Sequence, residues 1–426
     1  MKNSKTKTAV PKLRFPEFQD TEAWKFKELL KMSNHLVDKV GDAIYPTVSI
    51  AAGFGFVTQK ERFGRDISGK QYKNYILLKK GDFAYNKGNS KKYPQGCIYE
   101  LNKFDVVAAP NAFICFRLKK YYIASFYKQY FQANYHAEQL KKYITSGARS
   151  DGLLNINQNN FFSIILPSPK KEEQQKIADC LSSIDELITL HSKKLDTLKD
   201  YKKGLLQQLF PVEGESIPKL RFPEFENDGE WNQFALGEIT SVSAGGTPLS
   251  FKSEYWDGNI PWMNSGDLNK KKIFSVLKKI TELGLKNSST KYIPTKCILV
   301  GLAGQGKTRG TVAINYIELC TNQSVGAIYP NTQIFVSEFL YYKMDSMYKV
   351  LRNISKVEGG RGGLNLQMIK ALQIYLPKIK EQQKVADCLT SLDELITAQS
   401  KKIETLKQHK KGLLQQLFPS QQEVIR

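Results

Sequence analysis

One long segment occurs twice, and it constrains this 426-residue chain more than any other feature. The first copy, EEQQKIADCLSSIDELITLHSKKLDTLKDYKKGLLQQLFP, runs from Glu172 to Pro211. The second, KEQQKVADCLTSLDELITAQSKKIETLKQHKKGLLQQLFP, runs from Lys380 to Pro419. Most positions are identical, so the chain is internally duplicated. Apolar residues recur every seven positions, at Ile177, Ile184, Leu198 and Leu205 and at Val385, Leu392, Leu406 and Leu413. A second stripe follows at Leu181, Ile188, Leu195 and Leu209 and at Leu389, Ile396, Ile403 and Leu417. Two stripes at heptad spacing predict a coiled-coil seam, and a seam needs a partner. The nearest partner is the other copy. At about 1.5 Å per residue, each helix would span roughly 57 Å.

One heptad slot breaks the first stripe in both copies, with His191 in one and Gln399 in the other. Antiparallel pairing would bring these two mid-helix positions together. A buried polar pair there would fix the register; a half-exposed slot would simply tolerate polarity. Gly204 and Gly412 also match, and a helix-interior glycine costs about 1 kcal/mol relative to alanine. Either a close backbone crossing or a frayed helix end would account for them.

The rest of the chain repeats the same frame. PKLRFPEF at Pro11–Phe18 returns at Pro218–Phe225, followed at equal distance by Trp24 and Trp231. The expected organisation is a basic tail (1–10), a globular segment (11–170), a long helix (171–211), a linker with a second globular segment (212–378), a second helix (379–419) and a tail (420–426). Both globular segments hold short β-branched and aromatic runs between turn residues. In the first, YPTVSI, NYILLKKGDFAY, GCIYEL, VVAAP and AFICFRL predict strands, then a helix over 122–143, a loop at Ser146–Gly152 and a strand in FFSIIL. In the second, CILVGLA, GTVAINY and GAIYP precede a helix over 336–354, the loop EGGRGG and a strand in ALQIYL. The fold class is α+β, with two β-rich domains and two long helices in an internal repeat; antiparallel packing of the helices would give it a pseudo-two-fold axis. Similar layout with unlike sequence, between near-identical helices, suggests a fixed frame carrying two diverged readers.

A net charge of +22 implies a polyanionic partner, most naturally nucleic acid. The alternative is a coiled-coil scaffold whose charge only keeps it soluble. Six cysteines show no CxxC spacing and four histidines are scattered, which argues against disulfides and a metal site. The opening MKNSKTKTAV lacks a signal-peptide core, and no run of about 18 apolar residues is present, so a cytoplasmic protein is expected. Gly301–Thr308 fits GxxxxGK[ST], and a phosphate-loop enzyme is the competing functional reading. That motif needs a helix after it, whereas RGTVAINY predicts a strand. GFGF at Gly53–Phe56 is too short a match to a methyltransferase cofactor motif to carry an argument. No nuclease, helicase or nucleophile constellation is recognisable.

What remains are basic loops with amides and hydroxyls. Arginine and lysine suit guanine edges and phosphates, and asparagine and glutamine suit adenine. The candidate DNA contacts are Gln59, Arg62, Asn86, Lys87, Asn89, Lys91 and Arg149 in the first segment. In the second they are Thr247, Asn264, Ser265, Gln305, Lys307, Arg309, Asn322, Gln323 and Arg361. Each is also a possible solvated turn residue. Arg149 and Arg361 occupy matching loops.

With the PKLRFPEF segments, Trp24 and Trp231, the paired EEQQKIADCLSSIDELI and KEQQKVADCLTSLDELI helices and the KKGLLQQLFP ends, the chain resembles the specificity subunit (HsdS) of type I restriction-modification enzymes. GGTP at Gly245–Pro248 and IPWMNSGDL at Ile260–Leu268 resemble the opening of many target-recognition domains; the first segment lacks both. The resemblance implies two target-recognition domains, each reading half of a split site in double-stranded DNA. It implies helices that set the spacing and dock two methyltransferase subunits for adenine N6 methylation. S-adenosylmethionine, ATP and magnesium would belong to the methyltransferase and restriction/motor subunits, and this chain would bind no cofactor and catalyse nothing.

Overall fold

The heptad segments do form two long helices, Lys171–Leu209 and Ile379–Leu417. The computed structural model describes residues 8–88, 92–144, 154–304, 307–355 and 362–419. The chain divides into two compact units, Met1–Ser192 with Lys402–Arg426, and Lys193–Lys401. Each unit thus combines one globular segment with half of each long helix.

In the first unit, strand Trp24–Glu28 pairs antiparallel with Ile165–Ser168, so the segment's opening and closing strands lie side by side. This pairing leads the chain directly into the first long helix. A four-stranded antiparallel sheet runs in the order Ser33–His35, Ile114–Leu118, Phe83–Asn86, Cys97–Glu100. Two further antiparallel pairs join Val48–Ala51 to Gly55–Thr58 and Ile76–Lys79 to Val106–Ala109. The helix expected over 122–143 is two helices, Ala124–Gln132 and Ala137–Lys141. Between them Asn134 adopts a left-handed backbone (φ 60°), which stops the first. Phe161 and Phe162, expected in a strand, end the short helix Gln158–Phe162, which Asn157 caps. Their rings are buried with Phe116 and Tyr85, so burial rather than β-propensity decides their conformation.

The second unit repeats the closure: Asn232–Ala235 pairs antiparallel with Gln373–Leu376 before the second long helix. Its main sheet has five strands in the order Val242–Ala244, Val325–Ile328, Ile298–Gly301, Val312–Asn315, Lys272–Ile273. A second sheet orders Lys279–Ile280, Trp256–Met263, Leu319–Thr321 and Tyr292–Ile293. Each sheet contains one parallel pair, so the second unit is mixed where the first is antiparallel.

The repeated motifs make the same contacts in both units. Arg14 forms a bidentate pair with Glu173 at 2.7 and 2.8 Å, and Arg221 does so with Glu381 at 2.8 and 2.7 Å. Gln174 accepts from the Ile123 N–H and donates to the Pro169 carbonyl, both at 2.9 Å. Gln382 repeats this with Val336 and Pro377. The Leu13 N–H donates to the Gln416 carbonyl, and the Leu220 N–H to Gln208. Each PKLRFPEF segment therefore straps the end of a long helix. Phe418 packs against Trp24 and Phe126, and Phe210 packs against Trp231 and Phe339.

The seam is antiparallel within each unit. In the first, Asp185 meets Lys410 at 2.6 Å; in the second, Lys202 meets Asp393 at 2.5 Å. In the first unit the start of one helix, at Ile177 and Leu181, shares a cluster with the end of the other, at Leu413 and Leu417; in the second, Leu205 and Leu209 share one with Val385 and Leu389. Packing is deepest towards the helix ends, at Ile177, Leu181, Leu209, Val385, Leu389 and Leu417. Nearer mid-helix the first helix's seam residues Ile188, Leu195 and Leu198 are half-buried. Gln399 is buried and His191 half-buried. A methyl added at Gly204 or Gly412 meets nothing within 4 Å among the described residues, and both lie inside continuous helix. The close-crossing account of these glycines is therefore wrong: no neighbouring backbone needs the space.

Asp393 is held by Lys202, by Lys272 at 3.2 Å and by the Tyr342 hydroxyl at 2.7 Å. Burial alone would raise its carboxyl, but the hydrogen bond and charge of Lys202 hold it below the usual carboxylate range. Asp393→Ala leaves two half-buried ammonium groups facing each other and should cost roughly 3 kcal/mol in urea unfolding, whereas Lys202→Met should be near neutral. Equal losses for the two variants would refute a clamp centred on Asp393.

His136 is fully buried, with no hydrogen-bond partner for either ring nitrogen among the described residues. Burial pushes its imidazole down from 6.5 to about 3. The folded value lies below the unfolded one, so the unfolded chain takes up the proton first as pH falls. This contribution to stability is intact above about pH 6.5 and is lost towards pH 3, at up to about 1.4 kcal/mol per pH unit. His136→Leu should shrink the difference between urea midpoints at pH 7 and pH 5; an unchanged difference would show that other groups set it.

Candidate nucleic-acid interface

In the second unit, backbone hydrogen bonds tie strand-end loops of both sheets together along one edge of the unit. The Gly246 N–H donates to the Thr321 carbonyl (2.8 Å), Asn322 to Met263 (3.0 Å), Leu302 to Ser324 (2.9 Å) and Leu364 to Leu302 (2.8 Å). A side chain on Gly245 would lie 2.0 Å from the Thr321 carbonyl oxygen, so only glycine permits this approach. The Trp262 indole donates to the Gly246 carbonyl at 3.1 Å, which joins the GGTP and IPWMNSGDL motifs. Thr247 Oγ1 donates to Gln323 Oε1 at 2.6 Å across two of these loops. Asn264 Oδ1 accepts the Gly266 N–H at 2.7 Å and caps the turn that carries Ser265. The structure thus brings Thr247, Asn264, Ser265, Asn322 and Gln323 onto one cluster of loops. Thr247 and Gln323 are exposed; the other three are half-buried.

The phosphate-loop look-alike is part of this edge. Strand Ile298–Gly301 turns back into Val312–Asn315 as an antiparallel hairpin. No helix N-terminus follows to face a phosphate, so the geometry of a phosphate loop is missing. Lys307 is exposed on the hairpin; its carbonyl accepts from Thr311 Oγ1 and the Tyr348 hydroxyl. Arg309, expected as an exposed contact, turns inward: its Nη1 donates to the Gly362 carbonyl and its Nε is buried. It holds two loops together instead.

The first unit presents a different edge. Gln59 is 1% exposed and its amide is used internally, donating to the Tyr75 hydroxyl (3.2 Å) and accepting from the Ile67 N–H (2.9 Å). It is a packing residue and offers no free edge to a base, because its side chain satisfies buried polar groups. Arg62 is exposed, bonds Ser49 Oγ at 2.8 Å and also reaches the Ile50 carbonyl, to which Asn86 Nδ2 donates at 3.4 Å. Arg62 and Asn86 therefore meet at Ile50, midway up the hairpin Val48–Thr58. Lys87 follows Asn86 and is half-buried, its carbonyl accepting from Leu154 N–H. Asn89, Lys91, Arg149, Gln305 and Arg361 lie outside the described residues.

Among the described residues no cluster of histidine, cysteine and carboxylate side chains could hold a metal. Burial pushes the Cys97 and Cys320 thiols up to about 11 and Cys297 to about 12, so none is a thiolate at neutral pH. Among the described residues no helix is long and apolar enough to cross a membrane.

Comparisons agree with this geometry. The pattern of the family described as type I restriction modification DNA specificity domain matches residues 38–200 and 228–408. The chain is 26% identical over 301 residues to the type I restriction enzyme MjaVIII specificity subunit of Methanocaldococcus jannaschii, covering 67% of this chain and 68% of that one. It is 30% identical over 174 residues to the EcoR124I/EcoR124II specificity subunit of Escherichia coli, covering 40% and 42%. Its fold is similar to the crystal structure of the S subunit of the type I restriction-modification system from M. genitalium, with TM-score 0.60 and 15% identity over 96% of this chain and 99% of that one. A chain from a study of complex assembly and conformational transition in the type I system matches with TM-score 0.55 and 15% identity over 93% and 98%.

Lys307→Ala should weaken binding to all duplexes alike and make the slope of log K against log salt shallower by about one, as loss of a phosphate contact does. A loss confined to one sequence would make Lys307 a base contact instead.

Proposed function

The chain belongs to the type I restriction-modification DNA specificity family, and from that premise we propose that each of its two units reads one half of a split site in double-stranded DNA. The observation that carries this reading is the loop cluster of the second unit. Hydroxyl and amide side chains from separate strands are fixed there by backbone hydrogen bonds, as direct readout requires. The first unit supplies Arg62 and Asn86 at its own hairpin. Unlike loops on a duplicated frame support two unlike half-sites. The net charge of +22 supplies the sequence-independent attraction to phosphate.

In this proposal the chain recognises and does not catalyse. Two methyltransferase subunits dock on the helices and methylate adenine N6 with S-adenosylmethionine, and restriction subunits use ATP and magnesium to cut. The long helices hold the two readers apart and set the unread gap. A phosphate-loop ATPase is disfavoured by the hairpin that follows Gly301.

Mapping methylated adenines in a host that carries this chain would define both half-sites and the gap. Four residues inserted between Leu190 and Leu195, where the flanking seam residues Ile188 and Leu195 are only half-buried, add about 6 Å of helix and about 40° beyond a full turn. With DNA rising about 3.4 Å per base pair, the gap should lengthen by one or two base pairs while both half-sites stay unchanged. An unchanged gap would show that the helices do not set the spacing; altered half-site bases would show that the readers are not independent of them.

A further inference from the structure

Phe54 is 80% exposed at the tip of the hairpin that joins Val48–Ala51 to Gly55–Thr58. The tip is rigidly built. Gly53 and Gly55 take φ of 91° and 90°, which other residues rarely adopt. The Gly53 N–H donates to the Tyr99 hydroxyl at 2.8 Å. A side chain on Gly55 would stand 3.3 Å from the Tyr99 ring, so that ring backs the hairpin directly. The Phe54 N–H donates to the Ala51 carbonyl at 2.9 Å and closes the turn. An aromatic ring is thus held out in water on a fixed support, at the expense of unburied apolar surface.

Its surroundings carry both signs of charge: Phe54 lines a cleft with Lys103 and Lys128, and with Glu100 and Asp185. Lys92 Nζ comes to 3.4 Å from the position of a side chain on Gly53. Arg62 and Asn86 reach the Ile50 carbonyl on the strand that rises to the tip. Arg62 lies over the ring of Phe63, itself 45% exposed, with 5.1 Å between guanidinium and ring centre. An exposed apolar tip with Lys92 beside it and Arg62 on the supporting strand matches a polyanion with a recessed apolar feature. A two-stranded ribbon fits the major groove of B-DNA, where the thymine methyl is the apolar group on the base edges.

We propose, resting on the DNA-recognition reading above, that Phe54 is a specificity-determining residue of the first unit that packs on a thymine methyl in its half-site. Arg62 and Lys92 hold the flanking phosphates, and the Tyr99 support keeps the ring from collapsing onto the protein. The contact discriminates by apolar burial alone, so its strength is that of one methyl-sized group, about fourfold in affinity.

The test uses the full chain in its native complex and duplexes carrying the mapped site. Each thymine of the first unit's half-site is replaced in turn by deoxyuridine, which removes only the methyl. At one position the wild type should lose about fourfold in affinity. Phe54→Ala should lose the same factor on the unmodified duplex and nothing further when that thymine becomes deoxyuridine, and Phe54→Leu should recover most of the loss. Additive losses at every thymine, or a half-site without thymine, overturn the proposal. So does a Phe54→Ala variant that weakens all duplexes equally, the behaviour of a wedge between base pairs. A wild type with no sequence preference removes the DNA-recognition premise itself, which the Phe54 variants alone cannot do.

Discussion

Within each unit one ion pair, Asp185–Lys410 in the first and Lys202–Asp393 in the second, fixes the register of the two helix segments that meet there, and much else depends on that register. A slip would separate both pairs and leave charges half-buried without partners. Apolar seams alone specify register weakly, because a leucine stripe shifted by one heptad still meets leucine. Charged residues at seam positions remove that freedom. They also reach into the globular segments: Gln129 donates to Asp185 in the first unit, and Tyr342 donates to Asp393 in the second. Seam register and reader orientation are therefore coupled through the same carboxylates.

The helix ends serve as core. Ile177, Ala178 and Leu181 lie in the same cluster as Trp24, Phe126 and Phe418, and Val385, Ala386 and Leu389 lie with Trp231, Phe339 and Phe210. Aromatic contacts of this kind add about 0.5–1.5 kcal/mol each beyond the area they bury. The Arg14–Glu173 and Arg221–Glu381 pairs then fix each strap to the first turn of a long helix. A reader grafted between the strap and the helix inherits its orientation. That explains how one frame carries two segments with unlike strands: an antiparallel first unit and a mixed second one.

The recognition loops follow a different logic from the frame. In the second unit their side chains are placed by backbone hydrogen bonds between loops, and glycine is required where a carbonyl oxygen approaches within 2.0 Å of an added side chain. In the first unit a single hairpin rests on a tyrosine ring. Exposed polar groups on such loops lose little entropy when they meet a base, because their backbone is already ordered. In the proposed reading, specificity would rest on the ordered backbone of loops that share almost no sequence.

Repetition and heptad spacing in the sequence determined the duplication and both long helices with their apolar seams, and turn-bounded apolar runs gave the β-rich segment that precedes each helix. Local patterns suffice there, because a helix stripe and a strand run each follow from neighbouring residues. Lys202 and Lys410 were legible as gaps in the second stripe, and their equal spacing from Leu209 and Leu417 was the available signal. Only the tertiary structure decided which carboxylates would meet them. The same holds for the candidate site. Thr247, Asn264, Asn322 and Gln323 could be picked by residue type, but their convergence comes from strands far apart in the chain. Gln59 and Arg309 have the same polar character, yet one is buried and the other turns inward, since an amide or guanidinium satisfies buried groups as readily as it meets a base. Composition cannot separate these fates, because hydrogen-bonding capacity belongs to the residue and exposure belongs to the fold.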